Sequence, residues 1–414
     1  MKKSMFLVAL AAVSLASCSH DEVVELKTNE IKFTVVNDNV SRANILCNNN
    51  PIPSFNLYAT AQGADTEDFL TYINGDAYTV TGGVATNDEN TRYWPSKKVN
   101  FYATYNHTAA VVLNGNNAPT MDFTVADVVA DQTDLVYAAK LGMQRDNANK
   151  EAEIVPLNFR HALSQIVFQA KNINKNLYIV IKGVKVGKVA KAGTLTFPTK
   201  STDTNIDNHD QDGMQTTYQG TWNATGALTD YTVNLPSSIS LKAVAASDPA
   251  TNLTNANAGV FTNDLAMMLL PTQNITFQDG SETVASKALV SGQAAQAWVP
   301  TDGDTDYNGT YLAVDCEIYN IANPDASDPQ GGYDSSSDIQ LYNKLAVIPA
   351  KFEWEQGKKY VYTFVFGDGN GGYEPIDPTD PNPDPVLVPM TFKVTVDDFQ
   401  KGTADPIENE MKTN

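Results

Sequence analysis

Hydrophobic and polar residues alternate along this chain in short runs, the period of a strand with one face buried. Ile31, Phe33 and Val35 alternate with Lys32 and Thr34. Phe55, Leu57 and Ala59 share a face, as do Val99, Phe101, Ala103 and Tyr105. Leu163–Phe168 and Leu177–Val186 are further runs rich in Val and Ile. The rhythm continues through Tyr231–Leu235, Leu265–Leu270, Ile275–Phe277, Tyr311–Tyr319, Leu345–Ile348 and Tyr360–Phe366. Clusters of Gly, Asn, Asp, Thr and Pro separate the runs, and little reads as helix. Many short strands with turn signals between them predict an all-β protein built of sandwiches.

Two stretches interrupt the rhythm. Pro198–Gly213 is polar and acidic with few apolar residues, and is read as the joint between an N-terminal domain (31–200) and a C-terminal one (201–414). Gly367–Pro385 reads GDGNGGYEPIDPTDPNPDP, a flexible then semi-stiff tether over 367–385. Behind it, every even position of Val386–Val396 is apolar, so Val388, Met390, Phe392, Val394 and Val396 share one face. At ~3.3 Å per residue this strand would run on the order of 35 Å. Pro389 lacks an N–H and predicts a sheet edge there. Such a strand either closes its own sandwich or fills a groove in another molecule.

The beginning of the chain has a different character. Met1-Lys2-Lys3 precedes an apolar run, Phe6–Leu15, too short to span a bilayer. Leu15-Ala16-Ser17-Cys18 follows, small residues ahead of a cysteine that a lipoprotein signal peptidase can reach. The reading is a signal peptide (1–17) and a lipidated leader (18–30) with acyl chains on Cys18, holding the protein at a membrane surface outside the cytoplasm. The first strand, Ile31–Val36, comes next, and then Val40-Ser41-Arg42-Ala43 breaks the pattern. Arg42 between small residues is what a trypsin-like protease cuts, although loop arginines are ordinarily just solvated.

The chain has 414 residues, 42% of them hydrophobic, enough for two domains with real cores. Its formal charge of −20 opposes binding to nucleic acid or to anionic headgroups. Cys316 lies on an apolar strand face with Leu312, Val314 and Ile318, and reads as core. A Cys47–Cys316 disulfide would have to join distant parts of the chain. Of four histidines, His161 precedes a strand and reads as structural. Asp304–Gly309 matches the first half of an EF-hand loop, with Asp315 at the twelfth place, but its flanks are strand-like, so an acidic turn is expected. Asn208–Gly213 is a weaker version of the same pattern. No metal-ligand spacing, nucleophile elbow or phosphate loop occurs. No enzyme, cofactor or metal is expected. The 18 tyrosines and Asn-rich acidic loops leave open a lipid-anchored glycan-binding protein that does not polymerise.

Several fragments together resemble the fimbrillin family, the subunits of type V pili and related surface lipoproteins. They are the first strand with Ser41-Arg42-Ala43; Phe55–Ala59; Tyr93-Trp94-Pro95 with Val99–Ala103; Asp134–Ala138; Phe159–Ile166; Met268–Pro271; and Trp354–Tyr362. The resemblance implies two tandem transthyretin-like Greek-key β-sandwich domains. It also implies a life cycle at the outer membrane and cell surface. A lipoprotein precursor is cut after Arg42 by a trypsin-like maturation protease. The strand carrying Ile31, Phe33 and Val35 then leaves a groove, which the C-terminal strand of another fimbrial subunit fills. The tether ahead of Val386 is longer than that pattern leads one to expect.

Overall fold

The computed structural model describes residues 30–35, 52–106, 110–145, 154–202, 218–254, 265–271, 310–322, 337–350, 352–369, 371–372, 374, 386 and 388–398. These form eighteen β-strands and one 3-10 turn, the all-β class expected from the alternation. The first nine strands are β1 (Lys32–Val35), β2 (Ser54–Gln62), β3 (Phe69–Thr81), β4 (Val84–Thr86), β5 (Val99–Tyr105), β6 (Thr120–Thr124), β7 (Val136–Met143), β8 (Ile154–Leu157) and β9 (Arg160–His161). The rest are β10 (Ser164–Asn172), β11 (Leu177–Thr196), β12 (Thr221–Leu241), β13 (Thr251–Asn252), β14 (Met267–Leu269), β15 (Tyr311–Asn320), β16 (Ile339–Pro349), β17 (Lys358–Phe366) and β18 (Met390–Asp398).

Eight strands make one sheet in the order β8-β1-β4-β3-β2-β5-β7-β9. β8 and β9 stand at its two ends, yet only Asn158 and Phe159 separate them in the chain. Two residues span little distance, so the sheet curls back on itself. Phe33, Phe55, Leu57, Trp94, Phe101 and Leu157 are among the residues of the core inside the curl.

Two further sheets follow the orders β13-β10-β17-β18, with β14 also on β10, and β12-β11-β15-β16, with β6 also on β11. Between them lies a second core that includes Phe168, Ile181, Tyr231, Leu312, Trp354 and Phe364. Tyr58, Tyr102 and Tyr137 of the first sheet also join this core. Phe197 meets the rings of Tyr102 and Tyr137 edge-on at 5.3 and 5.6 Å. The middle strands of the first sheet are therefore covered on both faces, which is why Leu57–Thr60 is buried without interruption.

Ahead of the joint expected near 200, β6, β10 and β11 already lie in the other two sheets. β9 pairs with β7 of the first sheet, whereas β10 pairs with β17 and β11 with β15. By hydrogen bonding, residues 164–196 go with the second half, ahead of the joint expected near 200. A polar stretch marks a solvated connector, and it need not mark the place where a chain changes partners. Residues 203–217 of that stretch lie outside the described residues, as does Ile275–Phe277. Trp222 donates Nε1–H to the Ala162 carbonyl at 2.7 Å, and Gly357 N–H donates to Leu163 O at 2.9 Å. The motif runs at 159–166 and 354–362 thus meet where the two cores adjoin.

The last strand is shorter than its alternation. Val386 and Val388 are buried, but ladder pairing begins at Met390 and runs to Asp398. The first part of the expected tether packs against the strand: Gly367 N–H donates to Pro389 O at 2.8 Å and Gly371 N–H to Met390 O at 3.2 Å. β18 lies at the edge of its sheet, where Pro389 predicted one.

Candidate functional site

β1 is an insert between two walls. On one side it runs parallel to β8, with Lys32, Phe33, Thr34 and Val35 opposite Ile154, Val155, Pro156 and Leu157. On the other it runs antiparallel to β4, with Phe33 opposite Ala85 and Thr34 opposite Val84. Its three inward side chains are almost fully removed from water: Ile31 is 4% exposed, Phe33 0% and Val35 6%. Phe33 sits between two rings, edge-on to Tyr78 and to Phe101 at 5.2 Å each. Trp94 then packs perpendicular to Phe101 at 5.9 Å. Such edge-to-face contacts add directional preference to the burial itself.

Backbone bonds outside the ladders also tie each end of β1. Val35 N–H donates to Gly83 O at 2.8 Å, in the β3–β4 turn. Gly82 and Gly83 have φ of 59° and 80°, the left-handed geometry of a tight hairpin. Ile31 N–H donates to Arg92 O at 2.8 Å, and Glu30 bridges to Tyr93. The Arg92–Tyr93 segment is itself braced. Arg92 Nε and Nη2 grip the Asp76 carboxylate at 2.7 and 3.0 Å, and Tyr72 donates its hydroxyl to the Tyr93 carbonyl. The Asp76 partner raises the Arg92 pKa further, so the fork stays charged.

β18 lies on β17 from Phe366↔Met390 to Lys358↔Asp398. Met390 is 1% exposed, but Phe392, Val394 and Val396 are only partly buried against the second core. Among the described residues, Phe392 meets the ring of Tyr362 at 6.0 Å. The C-terminal strand thus lies in a sheet of its own chain, with its apolar face incompletely covered.

Cys18, Arg42, Ala43 and Cys47 lie outside the described residues, as do residues 304–309 and Asn208–Gly213 of the acidic loops. Asp315 is in β15, facing Lys182 at 3.8 Å. Cys316 is a fully buried free thiol whose pKa is pushed up by that burial. His161 Nδ1 is 2.8 Å from the buried Asp134 carboxylate, a structural pairing at the junction of the two cores. Among the described residues, no three metal-ligating side chains cluster.

The groove walls were not legible as a site. β8 is a short run whose role comes from its parallel pairing with β1. The Asp76–Arg92 fork joins residues 16 apart on different segments. The Gly82-Gly83 pair was the one local signal available, a hairpin mark between alternating runs.

These features define an all-β protein in which β1 closes a sheet from the inside and β18 lies at a sheet edge with part of its apolar face uncovered. A family model described as fimbrillin-like matches residues 47–379, most of the chain, and the chain belongs to that family. A fimbrial protein from Bacteroides vulgatus has a solved structure with a TM-score of 0.51 and 15% identity, covering 90% of this chain and 100% of its own. A protein from Bacteroides uniformis assigned to cell adhesion reaches a TM-score of 0.41 at 14% identity, over 90% of this chain and 99% of its own. No curated protein matches the sequence.

Proposed function

We propose that this chain is a structural subunit of a fimbria, acting in adhesion at the cell surface and assembled by protease-triggered strand exchange. The observation that carries the reading is β1: a four-residue strand, with walls on both sides, that completes a core although it lies ahead of the expected cleavage point. In this reading the precursor is exported, lipidated on Cys18 and held at the outer membrane. Burial of Ile31, Phe33 and Val35 is worth roughly 5–8 kcal/mol before ordering costs, so β1 stays while it is covalently attached. A trypsin-like protease cuts between Arg42 and Ala43. The leader then becomes a separate peptide that gains freedom on release. The strand carrying Val388, Met390, Phe392, Val394 and Val396 in another subunit replaces it. Membership of the fimbrillin-like family and the fold shared with a fimbrial protein support this reading.

Two variants test it. An Arg42→Ala precursor is expected to remain monomeric in the presence of protease. A chain ending at Pro385 is expected to be cut normally yet fail to polymerise. Size-exclusion chromatography with light scattering reads both. Filaments from the truncated chain would eliminate the C-terminal strand as donor. Filaments from Arg42→Ala would eliminate cleavage there as the trigger. A normally processed parent that stays monomeric and binds a specific glycan tightly would favour the glycan-binding alternative.

A further inference from the structure

We infer that the groove held by β1 sets the register of the strand that replaces it, and that Phe392 of a second copy of this chain takes the place of Phe33. The inference rests on the strand-exchange reading above and specifies what that reading leaves open. β1 with the residue before it reads Ile31-Lys32-Phe33-Thr34-Val35, and β18 contains Met390-Thr391-Phe392-Lys393-Val394. Both are apolar, polar, Phe, polar, Val. The two segments are interchangeable position by position, in the same chain direction.

The groove explains why the phenylalanine governs the match. The Phe33 ring is fully buried and has two edge-on ring neighbours, Tyr78 and Phe101. In its own sheet Phe392 is only partly buried, and among the described residues its ring neighbour is Tyr362. Transfer therefore improves its surroundings. A shift of two residues would put Met390 or Val394 between those rings and leave Phe392 in a site shaped for Ile or Val. A one-residue shift would turn the whole apolar face outward.

Direction follows from the flanks. Running as β1 runs, the incoming strand puts Val394 where Val35 was and Met390 where Ile31 was. The reverse direction would force Met390 into the valine site. In sequence, the matched register aligns Val388 and Val396 with Asn29 and Asn37, which lie outside the described residues. The newcomer's sequence is thus apolar at two aligned positions where the departing sequence is polar, a reason for exchange to run one way.

An engineered disulfide tests the register. Val35 N–H donates to Gly83 O, so Val35/Gly83 is a hydrogen-bonded pair, and the next pair, Thr34/Val84, is the closer non-hydrogen-bonded kind. That geometry suits a disulfide. In the proposed register Lys393 of the incoming chain stands where Thr34 was, opposite Val84. Val84 is 51% exposed and Lys393 is exposed, so cysteines at both leave the fold intact. Full-length protein carrying Cys47→Ser, Val84→Cys and Lys393→Cys is processed with a trypsin-like protease, oxidised and run on a non-reducing gel. Most of the processed chains are expected to form a covalent ladder that a reductant collapses, whereas the uncut precursor stays monomeric. The same protein with Thr391→Cys or Thr395→Cys in place of Lys393→Cys reports a two-residue slip, and Thr391→Cys also reports the reversed direction. A stronger ladder from either would overturn the register. Filaments that give no ladder with any of the three pairs would also overturn it. Failure of the processed Cys47→Ser parent to form filaments at all would instead refute the strand-exchange reading on which the register depends.

Discussion

The Asp230 carboxylate gathers three donors: the Tyr311 hydroxyl at 2.7 Å, Lys188 N–H at 3.0 Å and Lys185 Nζ at 3.1 Å. They hold a bulge in β11, where pairing with β12 slips between Val186 and Val189 and Lys188 has φ +59°. Gly187 fits there because a Cβ would lie 2.0 Å from the Tyr311 ring. Burial by itself raises the Asp230 pKa, but the hydrogen bonds and the Lys185 charge outweigh it, and the net shift is downward. A carboxylate with a depressed folded pKa contributes stability above its ordinary value and loses it as pH falls through the depressed one. Asp230→Asn should therefore cost about 1–2 kcal/mol at pH 7. The deficit should shrink as pH is taken below the ordinary 3.8. Urea unfolding of both proteins at neutral and acid pH measures it, and a deficit undiminished in acid would show that the charge is not what holds the bulge. None of this was readable from Lys188 or Asp230 in isolation, since the carboxylate acts on a segment some forty residues away.

At the scale of elements, β1 and β18 are similar strands in unequal surroundings. β1 is short and fully walled, and β18 is longer and half-covered at an edge. Phe33→Ala removes the ring between Tyr78 and Phe101 and should destabilise the precursor by about 3–5 kcal/mol. Released leader peptide should also appear faster after cleavage of this variant, because less apolar surface holds it. Thermal melts of the precursor, and mass spectrometry of peptide freed over time after protease, give the two readings. An unchanged melting point would show that the Phe33 site collapses without loss, and the groove would then be a poor discriminator of registers. The alternation of Ile31, Phe33 and Val35 was plain in the sequence, as was the apolar face of β18. That β1 pairs parallel with β8 was not, because a parallel partner some 120 residues away leaves no local mark.

The whole chain carries a formal charge of −20, and residues 1–42 hold five acidic and five basic residues, so the subunit left once signal peptide and leader are both gone still carries −20. Like-charged subunits must approach for one to enter the other's groove. Repulsion between exposed charges is screened over about 8 Å at physiological salt. Assembly of the processed subunit should therefore quicken between about 20 and 300 mM salt. Light scattering after protease addition gives the half-time. Slower assembly at high salt would point to specific attraction between oppositely charged patches as the driving contact.

The all-β class and the strand faces were legible along the chain, as was the apolar face of β18 behind a Gly- and Pro-rich stretch, because a period of two and the chemistry of Gly and Pro are local. Tyr93, Trp94 and Phe101 read as N-terminal core residues; Trp94 and Phe101 are buried in the core with Phe33, whereas Tyr93 is 48% exposed, since the chain bends after Pro95 and leaves that side of the segment in solvent. The tertiary structure alone decided which strands meet. It put residues 164–196 with the second half, docked the start of the tether against β18, and made β1 the closing piece of the first sheet. Alternation says which side of a strand is apolar. It does not say which strand lies alongside, since backbone hydrogen bonds are the same for every residue and only the packing of both faces selects a partner.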